Sequence, residues 1–219
     1  MTGAGARPTT LIFDVEGTLI DCVPLTLACW KATLAEYDHP VSVEQLQTFS
    51  GLDGREMLNR LCPDLPSKTK TRILKAQGKR YREVCLAKTR PFPGVQQLFQ
   101  NLHGQGYRLA IATTCQKDEL AYYDKHMDVV KLCSVTVCGS DVKKGKPHPD
   151  LFRYVLEKLG LHQHSAAMAI GDTPYDAMAA VAAGVQSLGV LTGGFSQDDL
   201  EKAGCGLVLA RVGDLADRI

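Results

Sequence analysis

The sequence has no long apolar run, a single tryptophan and almost no net charge. No stretch is long and apolar enough to cross a membrane, and the Gly- and Ala-rich residues 1–8 lack the apolar segment of a signal peptide. A net charge of +1 gives no overall field that would attract nucleic acid. We therefore expect a loose tail over residues 1–8 and a cytoplasmic protein whose partners include neither membranes nor nucleic acid.

The cysteines also lack the spacing of a metal or disulfide framework. None of the eight forms a Cys-x-x-Cys pair, and no pair of histidines accompanies them at zinc spacing. Scattered thiols within apolar segments are typical of reduced core residues in a cytosolic protein.

Strands alternate with single helices over most of the chain. At 219 residues and 45% hydrophobic composition, the chain can bury the core of one α/β domain with a smaller insert. The strands are predicted at residues 9–13, 107–112, 134–138, 166–170, 185–190 and 206–209. Such alternation implies right-handed crossovers and therefore a doubly wound, parallel sheet of the Rossmann-like kind.

Residues 21–90 interrupt this alternation because they show helical signals and no strand signal. The helices are predicted at residues 25–37, 42–51, 54–61 and 67–88. We predict that residues 21–90 form an inserted α-helical cap domain, and that residues 9–20 and 91–219 form the core.

Polar residues stand where several of the predicted strands end. Asp14, Thr113 and Asp172 follow three of the strands, and Lys146 lies in the loop after a fourth. Ligands bind outside the carboxyl ends of the strands in open α/β sheets, where residues distant in sequence converge. The sequence therefore predicts one site that contains all four residues.

Three of the carboxylates suggest a metal site. Asp14, Asp172 and Asp176 would repel one another at close range and raise one another's pKa unless a cation were present. Mg²⁺ suits such a site because it binds few carboxylates, keeps waters and shares the oxygens of a substrate phosphate. With Lys146 and the Thr113 hydroxyl nearby, the pattern favours phosphoryl transfer with Asp14 as nucleophile.

Each of these residues also has a purely structural interpretation. Asp14 could be a turn residue, Thr113 a β-branched strand residue and Lys146 a solvated lysine. The segment Thr173-Pro174-Tyr175-Asp176 fits a capping box, so Asp176 could cap a helix, bind a metal, or do both.

Four motifs together resemble those of the haloacid dehalogenase-like (HAD) superfamily. Asp14-Val15-Glu16-Gly17-Thr18-Leu19 is similar to its first motif, Thr113 to the second, Lys146-Pro147-His148-Pro149-Asp150 to the lysine motif, and Gly171-Asp172-Thr173-Pro174-Tyr175-Asp176 to the fourth. Pro91-Phe92-Pro93-Gly94-Val95 resembles the usual return from a helical cap. The resemblance extends from about residue 10 to 209, and the phosphoglycolate phosphatase and β-phosphoglucomutase-like branch looks nearest.

The resemblance implies a role for each matched residue. Asp14 would attack phosphorus, form an aspartyl-phosphate and bind Mg²⁺. The carbonyl of Glu16 would bind the metal, while its side chain would protonate the leaving oxygen and later activate water. Thr113 and Lys146 would hold the phosphoryl oxygens, Asp172 would ligate Mg²⁺, and Asp176 would support the metal or its waters.

Residue 16 departs from the family pattern, because the usual residue there is Asp. The extra methylene of Glu16 moves the carboxyl by about one carbon–carbon bond, and a displacement of that size can cost on the order of a hundredfold in rate. Glutamate nevertheless retains the acid–base chemistry, and the enolase-phosphatase branch carries a similar Asp-x-Glu-Gly-Thr. True dehalogenases have no acid at this position. Either the site is active, or it binds Mg²⁺ and phosphate but turns over poorly.

Basic residues are concentrated in the predicted cap. Residues 53–90 contain eleven Lys or Arg and four acids, a charge of +7 that leaves −6 for the rest of the chain. This asymmetry could steer an anionic substrate, although most of these side chains are expected on a solvated helix face. Arg55 resembles a cap arginine of the phosphoglucomutase-like relatives and is the main candidate for a substrate contact. Arg80 in the cap and Thr114 in the core are further candidates.

The sequence thus predicts a Mg²⁺-dependent phosphatase that acts on a small phosphorylated metabolite, as a monomer or homodimer. One alternative is a phosphomutase, which would keep water away from the aspartyl-phosphate. Another is a binding or regulatory protein whose site is impaired by Glu16.

Overall fold

The computed structural model of the protein describes residues 8–219, apart from the side chain of Ser165. The predicted tail lies outside these residues except for Pro8, which is buried. The strands are β1 Thr10–Phe13, β2 Ile20–Asp21, β3 Arg90–Pro91, β4 Arg108–Ala112, β5 Cys133–Val137, β6 Ala167–Gly171, β7 Gln186–Val190 and β8 Leu207–Leu209. The α-helices are α1 Val23–Glu36, α2 Val43–Thr48, α3 Gly54–Leu61, α4 Ser67–Arg80, α5 Val95–Gly104, α6 Lys117–Met127, α7 Asp150–Leu159, α8 Pro174–Ala182 and α9 Gln197–Ala203.

Six parallel strands form the central sheet, in the order β5-β4-β1-β6-β7-β8. The chain proceeds outward from β1 to β5 on one side, then returns to β6 and proceeds outward to β8. The direction therefore reverses between β1 and β6, which is where open α/β sheets bind their ligands. The predicted doubly wound fold with an inserted helical cap is confirmed.

Helices cover both faces of the sheet because the buried strand β1 alternates its side chains. Leu11 and Phe13 pack on one face with α5 and α6, and the rings of Phe13 and Phe99 lie 4.6 Å apart. Ile12 points to the opposite face, where it packs with α7 and α8. A period of two along a fully buried strand thus supplies both hydrophobic layers.

The cap helices α1 to α4 enclose a hydrophobic cluster of their own. Its core includes Trp30, Leu34, Leu46, Leu58 and Ile73. Near the core domain the chain crosses between the two units through the antiparallel pair β2–β3. These strands overlap both predicted cap boundaries, where the sequence predicted no strand, because two-residue strands are too short to show an alternating pattern.

Two further elements differ from the prediction. The helix predicted over residues 67–88 is α-helical only to Arg80, and it continues as a π-helical turn at Tyr81–Cys85 and a 3₁₀ turn at Leu86–Lys88. Periodicity alone does not separate these forms over so few residues. Helix α9 was not predicted, because Leu200 is the buried residue among its seven and so short a segment shows no apolar period.

No helix among residues 8–219 has the length and apolar character needed to cross a bilayer. All eight cysteines belong to this described part and are free thiols, six of them buried, as expected for core residues.

Candidate active site

The ends of β1 and β6 bring three carboxylates together. The Asp14 N–H donates to the carbonyl of Ile170 over 2.9 Å and so extends the pairing of the two strands beyond Phe13. Asp172 follows β6 directly, and Asp176 lies in the first turn of α8. Each of the three offers an oxygen within 4.8 Å of the others, and all three side chains are buried. The structure therefore assembles the cluster that the sequence predicts.

Lys146 is buried among these acids. Its Nζ lies 2.6 Å from Asp14 Oδ1 and 2.6 Å from Asp176 Oδ1, and the residue is only 2% exposed. Burial alone would lower the pKa of Lys146, but the two carboxylates outweigh that effect and raise it above its usual range. The lysine therefore stays protonated and balances one of the nearby negative charges.

Burial and mutual repulsion disfavour the charged forms of these acids. Burial raises the pKa of Asp14 to about 6, against the opposing effect of Lys146. Burial also raises the pKa of Asp172 well above its ordinary value, and the neighbouring Asp176 and Asp14 add to the increase. One lysine therefore does not compensate three buried carboxylates, so a further cation is favoured here.

Asp176 caps α8 and also belongs to the cluster of acids. Its Oδ2 accepts hydrogen bonds from the Thr173 N–H at 3.1 Å and from the Thr173 hydroxyl at 2.6 Å, which completes a capping box. Its Oδ1 contacts Lys146 without hydrogen-bond geometry and has no hydrogen-bond partner within the described part of the chain. A buried acceptor thus remains available beside the other two acids.

Asp172 is fixed between two glycines. A Cβ on Gly17 or Gly193 would lie 2.1 or 2.2 Å from its Oδ2, and the Thr18 hydroxyl donates to its Oδ1 over 2.9 Å. Gly17 also has a positive φ of 83°, which lets the chain turn sharply after β1. All-oxygen donors, one unfilled acceptor and a charge deficit fit a hard divalent cation such as Mg²⁺.

Glu16 lies beside this cluster and reaches toward α6. Its Oε1 accepts a hydrogen bond from the Tyr123 hydroxyl at 2.8 Å. Shielding from solvent raises the pKa of Glu16 to about 7, and the nearby Glu119 contributes to the increase. Sequence reasoning missed Tyr123, because nothing in the spacing of α6 indicates which of its residues faces position 16.

The two threonines after β4 occupy different positions. Thr113 is fully buried, and its Oγ1 accepts a hydrogen bond from the Cys115 N–H at 3.2 Å. Its hydroxyl proton is still available to an acceptor. Thr114 lines the cleft between core and cap.

The cleft between cap and core has a volume of about 530 Å³. Asp14, Glu16 and Asp172 line it from the core. The cap contributes basic side chains, namely Arg55, Lys75 and Arg82.

Arg55 thus lies where the sequence placed it, but Arg80 does not. Arg80 instead pairs with Glu36, and among the described residues it does not line the cleft. Lys75 and Arg82 were missed, although they are seven residues apart and so share a helix face. A count of basic residues does not indicate which face of a helix they occupy, and only the packing of α4 shows which of its faces lines the cleft.

The cap is also attached to the core through α2. Gln47 Nε2 donates to the carbonyl of Gly193 over 2.7 Å, and the Tyr175 hydroxyl donates to the carbonyl of Thr48 over 2.7 Å. The Tyr175 ring is part of the hydrophobic cluster of the cap although the residue belongs to α8. We call these two bonds the latch.

Comparisons with known proteins agree with this geometry. The family model described as haloacid dehalogenase-like hydrolase matches residues 11–190. Phosphoglycolate phosphatases from Salmonella typhi and Escherichia coli (strain K12) are 30% and 29% identical over 203 residues, which cover 83% of this chain and 80% of each relative. The crystal structure of a hydrolase from Pseudomonas syringae is similar with a TM-score of 0.88 and 28% identity, over 95% of this chain and 96% of that chain. The matched residues make up most of the chain and include every predicted motif, so the protein belongs to the haloacid dehalogenase-like hydrolase family.

Proposed function

We propose that this hydrolase is a Mg²⁺-dependent phosphatase that cleaves a small phosphomonoester through an aspartyl-phosphate on Asp14. The observation that carries the proposal is the buried cluster of Asp14, Asp172, Asp176 and Lys146, which lies at the floor of a cleft lined with basic residues. Such a floor suits a group that brings its own negative charge and shares a cation.

The residues of the cluster divide the binding of the phosphoryl group. Asp14, Asp172 and Asp176 would hold Mg²⁺, and the bound ion would offset the charge of the carboxylates and of the phosphoryl oxygens. The Thr113 hydroxyl donates to a phosphoryl oxygen, and Lys146 offsets the remaining charge.

Asp14 is the nucleophile because its carboxylate follows β1 directly and lines the cleft. One of its oxygens bonds to phosphorus as the bond to the leaving oxygen breaks, and Glu16 gives that oxygen its proton. The Glu16 carboxylate then takes a proton from a water molecule, whose oxygen attacks phosphorus as the bond between phosphorus and the Asp14 oxygen breaks. Phosphate is released, and Asp14 and Glu16 return to their starting states.

The cap limits the substrate to a small molecule. Helices α1, α3 and α4 of the cap line the cleft above the acids, and a cap over a site restricts the entry of bulky esters. Arg55 and Lys75 bind the part of the substrate that remains after the phosphoryl group is removed, which favours an anionic metabolite, whereas Arg82 is paired with Glu119. The relatives named phosphoglycolate phosphatase make 2-phosphoglycolate the first substrate to test.

The proposal is tested by a panel of phosphorylated metabolites with and without Mg²⁺. We expect phosphate release that stops when the metal is removed by chelation and returns when Mg²⁺ is added. Asp14→Asn keeps the shape of the side chain but removes the nucleophilic charge, so its turnover should fall by about 10⁴-fold or more. Release that persists in the chelated protein or in this variant would refute the mechanism. Phosphate binding without turnover would instead identify an impaired site.

A further inference from the structure

A chain of three hydrogen-bonding groups runs from the cap into the active site. The Tyr123 hydroxyl lies 2.8 Å from Glu16 Oε1 and 2.6 Å from the hydroxyl of Tyr81. Tyr123 belongs to α6 of the core, whereas Tyr81 begins the π-helical turn that follows α4. Both tyrosines are buried, with exposures of 1% and 3%. The two phenols therefore form a fixed buried contact rather than a surface one.

The direction of these hydrogen bonds follows from the proton count. Each phenol has a single proton, and the Tyr123 proton is directed to the Glu16 carboxyl. The bond between the phenols therefore uses the proton of Tyr81, with Tyr123 as acceptor. Both donors consequently point toward Glu16, and such chains strengthen one another in a buried environment.

The length of Glu16 is what allows this contact. An aspartate at position 16 would withdraw the carboxyl by about 1.5 Å. The distance between its oxygen and the Tyr123 hydroxyl would then be roughly 4 Å, which is too long for a hydrogen bond. The departure from the family residue and the two buried tyrosines thus belong to one arrangement. A glutamate without support would have more freedom of rotation than an aspartate.

We propose that Tyr123, supported by Tyr81, is a positioning residue that holds one oxygen of Glu16 and so directs the other oxygen at the leaving group. This inference rests on the proposed function. Among residues 8–219, those that line the cleft include Glu16 and Tyr81 but not Tyr123, so Tyr123 acts through Glu16 and not on the substrate. Proton transfer depends on such alignment, since a candidate acid must lie within hydrogen-bond reach of its target.

The test is a double-mutant cycle of Tyr123→Phe and Glu16→Asp. In the wild-type background, Tyr123→Phe should lower kcat/KM for an alkyl phosphate by roughly 10- to 100-fold, as expected for the loss of a hydrogen bond to a carboxyl group that becomes charged as it gives up its proton. In the Glu16→Asp background, the same change should cost less than about threefold, because the shorter acid no longer reaches the phenol.

The leaving group separates positioning from general damage. An alkoxide needs a proton to depart, whereas p-nitrophenolate departs without one. The quantity kcat/KM covers the steps up to that departure, so Tyr123→Phe should change it little for p-nitrophenyl phosphate. A merely structural effect would lower kcat/KM for both substrates alike.

The controls lie on the same elements. Tyr122→Phe is the same change one residue away on α6, where the ring contacts His126, and it should leave kcat/KM unchanged. Tyr81→Phe removes only the outer hydrogen bond and should cause a smaller loss with the same dependence on the leaving group. If Tyr123→Phe fails to fold, as judged by thermal unfolding, Tyr81→Phe in the two backgrounds decides the question.

The outcomes separate the two proposals. Equal losses for both substrates, or in both backgrounds, would overturn the role of Tyr123 and leave the phosphatase standing. Absence of hydrolysis by the wild-type protein with every substrate would overturn the proposed function and, with it, the positioning role.

Discussion

The residues proposed to carry the chemistry could be predicted from the sequence, whereas the residues that contact them could not. Asp14, Asp172 and Asp176 could be assigned to one place because each follows or caps an element whose end lies at the same sheet edge. Their partners could not be assigned, since a hydrogen bond such as that from Thr18 to Asp172 depends on the exact path of the turn. For the same reason Tyr123 and the two glycines beside Asp172 were visible only in three dimensions.

Gly193 provides a test at this scale. In Gly193→Ala the new methyl would lie 2.2 Å from Asp172 Oδ2 and 2.4 Å from its backbone carbonyl oxygen, so the carboxylate must move. We expect Mg²⁺ to bind at least about tenfold more weakly, which corresponds to roughly 1.4 kcal/mol of lost binding free energy. Isothermal titration with Mg²⁺ measures this change directly.

Gly104→Ala is the matched control for that experiment. Gly104 ends α5, and apart from its chain neighbours and the backbone of its own helix, no heavy atom of the described chain lies within 4 Å of the added Cβ. Its Mg²⁺ affinity should equal that of the wild-type protein. Equal affinity in Gly193→Ala as well would show that Asp172 does not depend on this space.

Whole elements set the position of the cap over the acids, and they were predicted with uneven success. The alternation of strands and helices identified the sheet and the insert because burial imposes a clear period on each. The β2–β3 pair, helix α9 and the π-helical turn at Tyr81–Cys85 escaped prediction, since short segments take their form from tertiary contacts. The face that α4 turns to the cleft was equally hidden, and Arg80 was misplaced for that reason.

The latch provides a test at the scale of elements. Tyr175→Phe with Gln47→Ala removes both hydrogen bonds between α2 and the core while the ring of residue 175 stays in the cap cluster. We expect the free energy of opening the cap to fall by about 1–3 kcal/mol. Amide hydrogen exchange in α2 should therefore accelerate by roughly 5- to 150-fold, with exchange in β1 unchanged. Unchanged exchange in α2 would show that other contacts hold the cap closed.

For the molecule as a whole, the sequence gives the uneven distribution of charge but not the surfaces on which the charged side chains lie. Part of the excess of +7 in residues 53–90 is neutralised by acids outside that range, as in the pair of Arg80 with Glu36 on the cap surface. Arg55 and Lys75 instead line the cleft, where they attract an anion. The count alone could not divide these groups, because pairing depends on which helix face each side chain occupies.

The dependence of kcat/KM on ionic strength tests which of the basic residues attract the substrate. We expect kcat/KM for an anionic phosphomonoester to fall as ionic strength rises, since exposed charges are screened beyond about 10 Å at 0.1 M salt. Arg55→Ala should reduce the slope of that dependence. Lys68→Ala removes an exposed charge from α4 that does not line the cleft in the described structure, so its slope should match the wild type. Identical slopes in all three proteins would exclude steering by Arg55.

The continuous packing beneath the cap has a consequence for the route by which molecules enter and leave. The buried cluster that contains the core strand β1 also includes residues of the cap, namely Cys29, Tyr81, Cys85 and Leu86. That end of the cap therefore cannot separate without exposing side chains to water, and burial of a large apolar side chain is worth about 1.5–3 kcal/mol. The margin at α2 is held by the two hydrogen bonds of the latch, each worth about 0.5–1.5 kcal/mol, together with the ring of Tyr175. We therefore expect opening of the cap to begin at α2, beside Gly193, while its base stays packed against β1. Small molecules would then reach the cleft past Gln47.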